Sequence, residues 1–367
     1  MNLEVDDFES FINALELKCG RYATGLFLSV QLLLITFLYV TPSSGSVNFG
    51  VNYSRLSLNP LDFSRSEPLQ NRILGPLVGH LIYLRGEHFV FLPILAGLLF
   101  LTLVYAYYRR DGFDVIDSLG MMCLMAFTTP VLFTLHFQGY TDTVSYLLIL
   151  LCIINTETIY WYILFALALL NHESNIFALP YLLWLAIYRK HTWKERGMVA
   201  IMSILSLIPM LAYQHWVSTN AKVLFSSDYY LNLGAIYNNV ASIFDLMPIG
   251  IFMAFKLLWL LPIMAFTYLL REKNYCQALW FILVPTLACG QLLIARDTSR
   301  LMGLAFPCIL CGAKVMRDQV GKDLFKRKLW ILIGLNLLVP TYYVGSGSMV
   351  PFWPLPVTAM MLIGGRL

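Results

Sequence analysis

The sequence predicts an all-α polytopic membrane protein of about eleven (10–12) transmembrane helices in a single transmembrane domain spanning residues 1–367, and three observations carry that prediction. Of the 367 residues, 59% are hydrophobic and only 13% charged, with a mean hydropathy of +0.69. A soluble core cannot bury that much apolar surface. The apolar residues also fall in runs approaching roughly 20 residues, the length a helix needs to cross about 30 Å of hydrocarbon. These runs are continuous rather than alternating, which excludes a transmembrane barrel. Finally, Lys and Arg collect in short segments between the runs, as they do in cytoplasmic loops.

The first residues (MNLEVDDFESFINALELKCG) are acidic and amphipathic, and the apolar run after them lacks a small-residue cleavage pattern. Residues 1–22 are therefore expected to be a cytoplasmic amphipathic segment rather than a cleaved signal, and the first run a membrane anchor. The runs lie at 23–41, 89–108, 115–135, 143–154, 158–170, 175–188, 197–213, 247–270, 275–294, 300–313 and 329–345. Residues 42–88 form the longest loop, expected to lie outside and to carry interfacial helices; its stretch 73–84 (ILGPLVGHLIYL) is read as lying along the membrane surface. A span there would invert every later basic cluster. For the same reason 143–170 is read as a hairpin turning at Asn155, Thr156 and Glu157. The tail 346–367, interrupted by Pro and Gly, is expected to be a re-entrant or partial span.

On this topology 16 of the 25 Lys and Arg, counting Lys18 and Arg21, sit on the cytoplasmic side and seven on the outside. Six of the seven Cys lie inside or at the edge of apolar runs, so even the Cys308–Cys311 CxxC reads as helix packing. There is no GxxxxGK[ST], HExxH or GxSxG motif and no Cys-rich metal spacing, which leaves nucleotide-driven pumps, zincins and serine hydrolases without local support.

The unusual polar residues gather on the proposed outer side. Ionisable groups at membrane depth are costly unless they face one another, water or a ligand. Asp62 and Glu67, five residues apart between Pro60 and Pro68, are candidates for a general base or a metal ligand; the alternative is that they pair with Arg65 or Arg72. Arg296 and Arg300 bracket a turn suited to a phosphate, unless Asp297 pairs with one of them to pin the turn. Lys256 either snorkels outward or joins the same cavity. Short turns hold His136, Gln138, Tyr140 and Asp142, then His172 and Glu173.

Four stretches, NPLDFSRSEPLQNRILGPLVGHLIYLRGEHF, HFQGYTDTVSYLLILL, LLNHESNIFALPYLLWL and ARDTSRLMGLAFP, together resemble the integral-membrane glycosyltransferases of the GT-C superfamily. The bacterial, polyprenyl-phosphate-sugar-dependent members are the nearest in pattern, and the likeness covers about residues 20–315. The resemblance implies a plasma-membrane enzyme with its N-terminus in the cytoplasm and its site facing outward, moving a sugar from a polyprenyl-phosphate carrier to a hydroxyl on a glycan, lipid or protein. Membrane lipids would surround it, and nucleic acid would play no part. It implies Asp62 or Glu67 as the base, Arg296, Arg300, Lys256 and Arg72 on the donor phosphate, and His136, Gln138, Tyr140, Asp142, His172 and Glu173 on sugar or acceptor. The first loop has no Asp-x-Asp, so the resemblance implies no certain cofactor and leaves a divalent Mg or Mn open. A transporter or flippase, or a polymerase or ligase of lipid-linked sugars, is the competing reading; the absence of an internal repeat argues against the transporter.

The orientation has a direct test. A cysteine placed at Ser44 is expected to react with an impermeant thiol reagent added to intact cells, and one at Thr192 to stay unlabelled. The opposite pattern would invert the topology.

Overall fold

A computed structural model describes residues 2–42, 50–63, 69–188, 190, 192–221, 232–345 and 347–363. They are mostly helical. Six helical stretches are long and apolar enough to cross a membrane: Arg21–Tyr39, Gly86–Arg110, Trp193–Asn220, Met247–Arg271, Tyr275–Leu293 and Thr298–Val320. The chain is thus an all-α integral membrane protein.

The structure resolves the expected eleven runs into these six, one broken pair and four shorter helices. Val115–Ala126 and Thr129–His136 form the pair, bent by 50° where Thr128 takes an extended conformation and Pro130 starts the second half. Counting that pair gives seven candidate spans among the described residues. Asp142–Ile154, Tyr160–Asn171 and Leu179–Tyr188 have 13, 12 and 10 residues. At 1.5 Å per residue they reach about 15–20 Å, short of a full hydrocarbon layer. Lys322–Leu338 is 17 residues long, but its first half carries Lys322, Asp323, Lys326, Arg327 and Lys328. Residues 155–159 do form the turn between two antiparallel short helices, and the 73–84 stretch contains only an eight-residue helix, Leu74–Leu81.

One contiguous apolar core runs from Ile12 to Phe352. Its two polar ends differ in chemistry. At one end the Asn2–Cys19 helix is tied down by Glu16, which takes Arg109 Nε at 2.8 Å and Tyr105 Oη at 2.9 Å, while Lys326 bridges Glu9 at 3.4 Å and Asp114 at 3.7 Å. At the other end residues 50–63 and 69–88 and the turns near 140, 172 and 297 converge. The Gly86–Arg110 and Thr298–Val320 helices connect the two ends.

The tail departs from a simple partial span. Tyr342–Gly345 pairs antiparallel with Ser348–Pro351, and a nine-residue helix, Leu355–Ile363, follows. The hairpin returns to the start of the bundle, where Thr41 N–H donates to the Trp353 carbonyl at 2.9 Å.

Lys256 breaks the Met247–Arg271 span. It has φ 50°, in the left-handed region, and is 0% exposed. Its ammonium donates to the Val339 carbonyl at 3.1 Å and reaches the Asn336 carbonyl at 3.5 Å, the unsatisfied end of the Lys322–Leu338 helix, with the Tyr39 ring 5.8 Å away. Neither sequence expectation, snorkelling nor entry into the arginine turn, describes these contacts. Lys256→Met keeps most of the volume but leaves these carbonyls unpaired, so it is expected to destabilise the protein by about 1–3 kcal/mol in detergent. Lys256→Ala should cost more because it adds a cavity. Unchanged thermal unfolding of the Met variant would show that the capping contributes nothing.

Candidate functional site

Four segments separated in sequence bring two arginines and three carboxylates together. Arg72 follows a turn closed by its own N–H on the Leu69 carbonyl at 2.9 Å, just before the Leu74–Leu81 helix. Tyr213 Oη holds the Gln70 carbonyl at 2.8 Å, and Gln70 Nε2 holds the Asp62 carbonyl at 3.1 Å. The loop is thereby pinned to the bundle.

The Arg72 guanidinium grips Glu173 through two hydrogen bonds, Nε to Oε2 at 2.9 Å and Nη2 to Oε1 at 2.6 Å. Its Nη1 reaches Tyr53 Oη at 3.3 Å. Burial alone would push the Glu173 carboxyl up, but Arg72 and its hydrogen bonds hold it well below the usual carboxylate range. Burial would likewise lower Arg72, and Glu173 more than restores it.

Glu173 owes its place to the end of Tyr160–Asn171, where the chain turns extended at His172 before a short 3-10 turn. Two asparagines lock this corner against the start of the preceding helix, Asp142–Ile154. Asn171 Nδ2 donates to the Thr141 carbonyl at 2.9 Å and Ser145 Oγ at 2.8 Å, and Asn175 Nδ2 donates to Ser145 Oγ at 2.8 Å. Gly75 allows the close approach: a Cβ there would lie 2.7 Å from Thr141 Cγ2. Asp142, the first residue of Asp142–Ile154, is placed by the same corner.

Arg300 completes the cluster from the start of the Thr298–Val320 span. Its Nη2 lies 2.9 Å from Asp297 Oδ2 and its Nε 3.8 Å from Asp142 Oδ1; the guanidinium carbon sits 5.2 Å and 5.5 Å from the Tyr140 and Phe133 ring centres. Asp297 in turn accepts a short hydrogen bond from Tyr343 Oη on the C-terminal hairpin. Burial and the adjacent Asp297 push that phenol well above its ordinary value. Ser299 fixes the same hairpin by accepting the Val344 N–H at 3.0 Å.

The sequence candidates therefore separate. Arg72, Asp142, His172, Glu173, Arg300 and Tyr140 share one buried neighbourhood. Arg296 is exposed, with its Nε on Asn239 Oδ1 at 2.8 Å. Asp62 is half-buried on the pinned loop, Gln138 is half-buried in the turn before Tyr140, and Glu67 lies outside the described residues. His136 faces elsewhere: its Nδ1 donates to the Thr41 carbonyl at 2.7 Å and its ring packs on Phe352 at 4.4 Å. Lys256 caps backbone carbonyls as described. Among the described residues no three His, Cys, Asp or Glu side chains converge to hold a metal ion.

Sequence reasoning overlooked Tyr53 and Tyr343. The second was legible, since YYVGSGSMV is an aromatic and β-branched run around a Gly-Ser-Gly turn, a hairpin signal. No family model, curated protein or solved structure matches the chain.

The electrostatics set a stability window. Burial, reinforced by Arg72, lowers the His172 pKa from 6.5 to about 3. Between those values the unfolded chain binds a proton that the folded chain does not, so stability should fall as pH drops from about 6.5 towards 3. Glu173, depressed in the folded state, adds its own loss only below about pH 4.5. His172→Gln should therefore flatten the slope between about pH 6.5 and 4.5 while leaving the steeper fall below it. A variant that kept the full upper slope in thermal unfolding would assign it to another group.

Proposed function

We propose that this chain is a membrane glycosyltransferase that moves a sugar from a polyprenyl-phosphate-linked donor to a hydroxyl on a glycan, lipid or protein acceptor, with its site at the outer face of a bacterial plasma membrane. One observation carries the reading. An apolar helical bundle gathers Arg72, Glu173, Asp142, Arg300 and Asp297 from four separate segments at one end. Burying ionised groups is costly even when they pair, and a bundle that needed only stability would be served as well by apolar side chains.

The chemistry of these groups suits the reaction. Ionised carboxylates held by arginines accept hydrogen bonds from sugar hydroxyls, and a guanidinium donates to sugar or phosphate oxygens. In a single displacement the acceptor hydroxyl loses its proton to a base, its oxygen attacks C1, and the bond from C1 to the phosphate oxygen breaks with inversion. Asp62 is the proposed base, with Glu67 the nearest substitute in the same loop. Charge then grows on the departing phosphate. Arg296, exposed and held by a neutral Asn239, keeps guanidinium donors available for it.

The reaction is testable with purified protein, a polyprenyl-phosphate-linked hexose or pentose, and mass spectrometry of the acceptor. Asp62→Asn should lower turnover by about 10²-fold or more without changing donor KM, the scale for a positioned general base. Arg296→Ala should raise donor KM, and Arg296→Lys should restore it only in part. Full turnover in both Asp62→Asn and Glu67→Gln would take the base out of the first loop. No sugar release with any such donor would favour a transporter.

A further inference from the structure

His172 has one defined tautomer. Its Nδ1 accepts the backbone N–H of Ser174 at 3.2 Å, and Ser174 Oγ lies 2.8 Å from the same nitrogen. A backbone N–H can only donate, so Nδ1 carries the lone pair and the proton of the neutral ring is on Nε2. Protonating Nδ1 as well would set two N–H groups against each other. Glu173 offers no stabilising acceptor, because its Oε2 is 3.9 Å from Nδ1 and already takes Arg72 Nε. The ring stays uncharged, in keeping with its depressed pKa of about 3. It is therefore neither a cation nor a general base at neutral pH.

What His172 offers is a single buried donor. Its Nε2 has no hydrogen-bond acceptor among the described residues, and Arg300 Nε has none within hydrogen-bond reach, the Asp142 carboxylate lying 3.8 Å away; both residues are 6% exposed. They belong to one neighbourhood: Asn171, beside His172, donates to the Thr141 carbonyl at 2.9 Å, and Asp142, beside Thr141, lies 3.8 Å from Arg300 Nε. A buried N–H without an acceptor is costly, and two in one neighbourhood are suited to an oxygen from a ligand.

Charge balance selects the kind of oxygen. Arg72 is saturated by Glu173, and Arg300 is shared between Asp297 and Asp142. The pocket has no surplus positive charge for a phosphate. We propose that the Nε2–H of His172 and the Nε–H of Arg300 together bind oxygens of an uncharged polyol, and that a phosphate is held outside this pocket. Identifying the polyol as the donor's sugar rests on the glycosyltransferase reading; the pocket itself does not.

The test uses the full-length protein in detergent, titrated by calorimetry with a panel of unphosphorylated hexoses and pentoses and, separately, with inorganic phosphate. At least one sugar should bind. His172→Ala should weaken it about tenfold, whereas His172→Gln, whose side-chain amide places a donor near the Nε2 position, should stay within about threefold. Phosphate should not displace the sugar. In protein labelled with 15N-histidine, the His172 signals should show a protonated Nε2 and a bare Nδ1 between about pH 5 and 8. Binding by no sugar in the panel, equal binding by His172→Ala, displacement by phosphate or a protonated Nδ1 would each overturn the proposal. If the alanine variant does not fold, the glutamine variant and the tautomer decide. Transfer activity on the same preparations separates the two readings. Transfer unaffected by His172→Ala removes the donor's sugar as the occupant and leaves the reaction standing; His172-dependent sugar binding without any transfer does the reverse.

Discussion

A guanidinium that cannot reach bulk water must be matched inside the protein, and Arg300 is where this constraint organises the molecule. Asp297 meets one edge of it, Asp142 approaches another, and the rings of Tyr140 and Phe133 lie within cation–π range. The backbone is engaged as well, since Tyr146 Oη donates to the Arg300 carbonyl at 2.9 Å. Gly303 makes room for that tyrosine: a Cβ there would sit 2.8 Å from Tyr146 Cζ. Through these contacts one residue fixes the separation between the Asp142–Ile154 helix, the Thr298–Val320 span and the hairpin. The span that carries it is the most enclosed of the six, with 83% of its apolar window buried.

Arg72 and Glu173 apply the same rule to a loop. This segment, interrupted by Pro and polar residues, buries only a small apolar cluster around Tyr53, Leu69 and Phe89. The bidentate pair and the Tyr213 and Gln70 hydrogen bonds add the rest of the attachment. Glu16 with Arg109 does this for the N-terminal helix at the far end. Both ends are closed by ion pairs that are half or more buried, and the two differ in what is left over. At the arginine end, His172 Nε2 and Arg300 Nε are among the buried atoms left without a hydrogen-bond partner. At the other, both oxygens of the fully buried Asp117 and the Nε of Arg317 are so left among the described residues.

Much of this was legible in the sequence, and the parts that were not have physical reasons. Apolar runs predicted the long helices of the bundle because burial against lipid or protein demands the same residues, but not Leu233–Ile243, which lies in a stretch without such a run. That equivalence is also why eleven apolar runs meet six or seven helices long enough to span among the described residues. Asp142–Ile154 and Tyr160–Asn171 are as apolar as a span yet too short to be one, packed as a hairpin within the bundle. The acidic residue beside the arginines could be suspected from Arg-Asp-Thr-Ser-Arg, and Asp297 does pair with Arg300 rather than leaving both arginines open. Arg72 with Glu173 lies 101 residues apart in the chain, a pairing no local spacing can announce. The role of Lys256 was hidden for a similar reason. Its partners are backbone carbonyls, which every residue type carries and no motif marks.

The attachment of the hairpin to Asp297 gives the site an order of completion. Chains emerge from the ribosome N-terminus first, and elements fold as they become available. Arg300, Asp142, Glu173 and Arg72 are all synthesised before Tyr343, the residue that holds the second oxygen of Asp297. Until the hairpin arrives, the turn that positions Arg300 has one anchor fewer, although the helices on either side of it can already be in the membrane. The arginine site is therefore among the last parts of the protein to mature, completed by a hairpin that arrives after the helices it ties together.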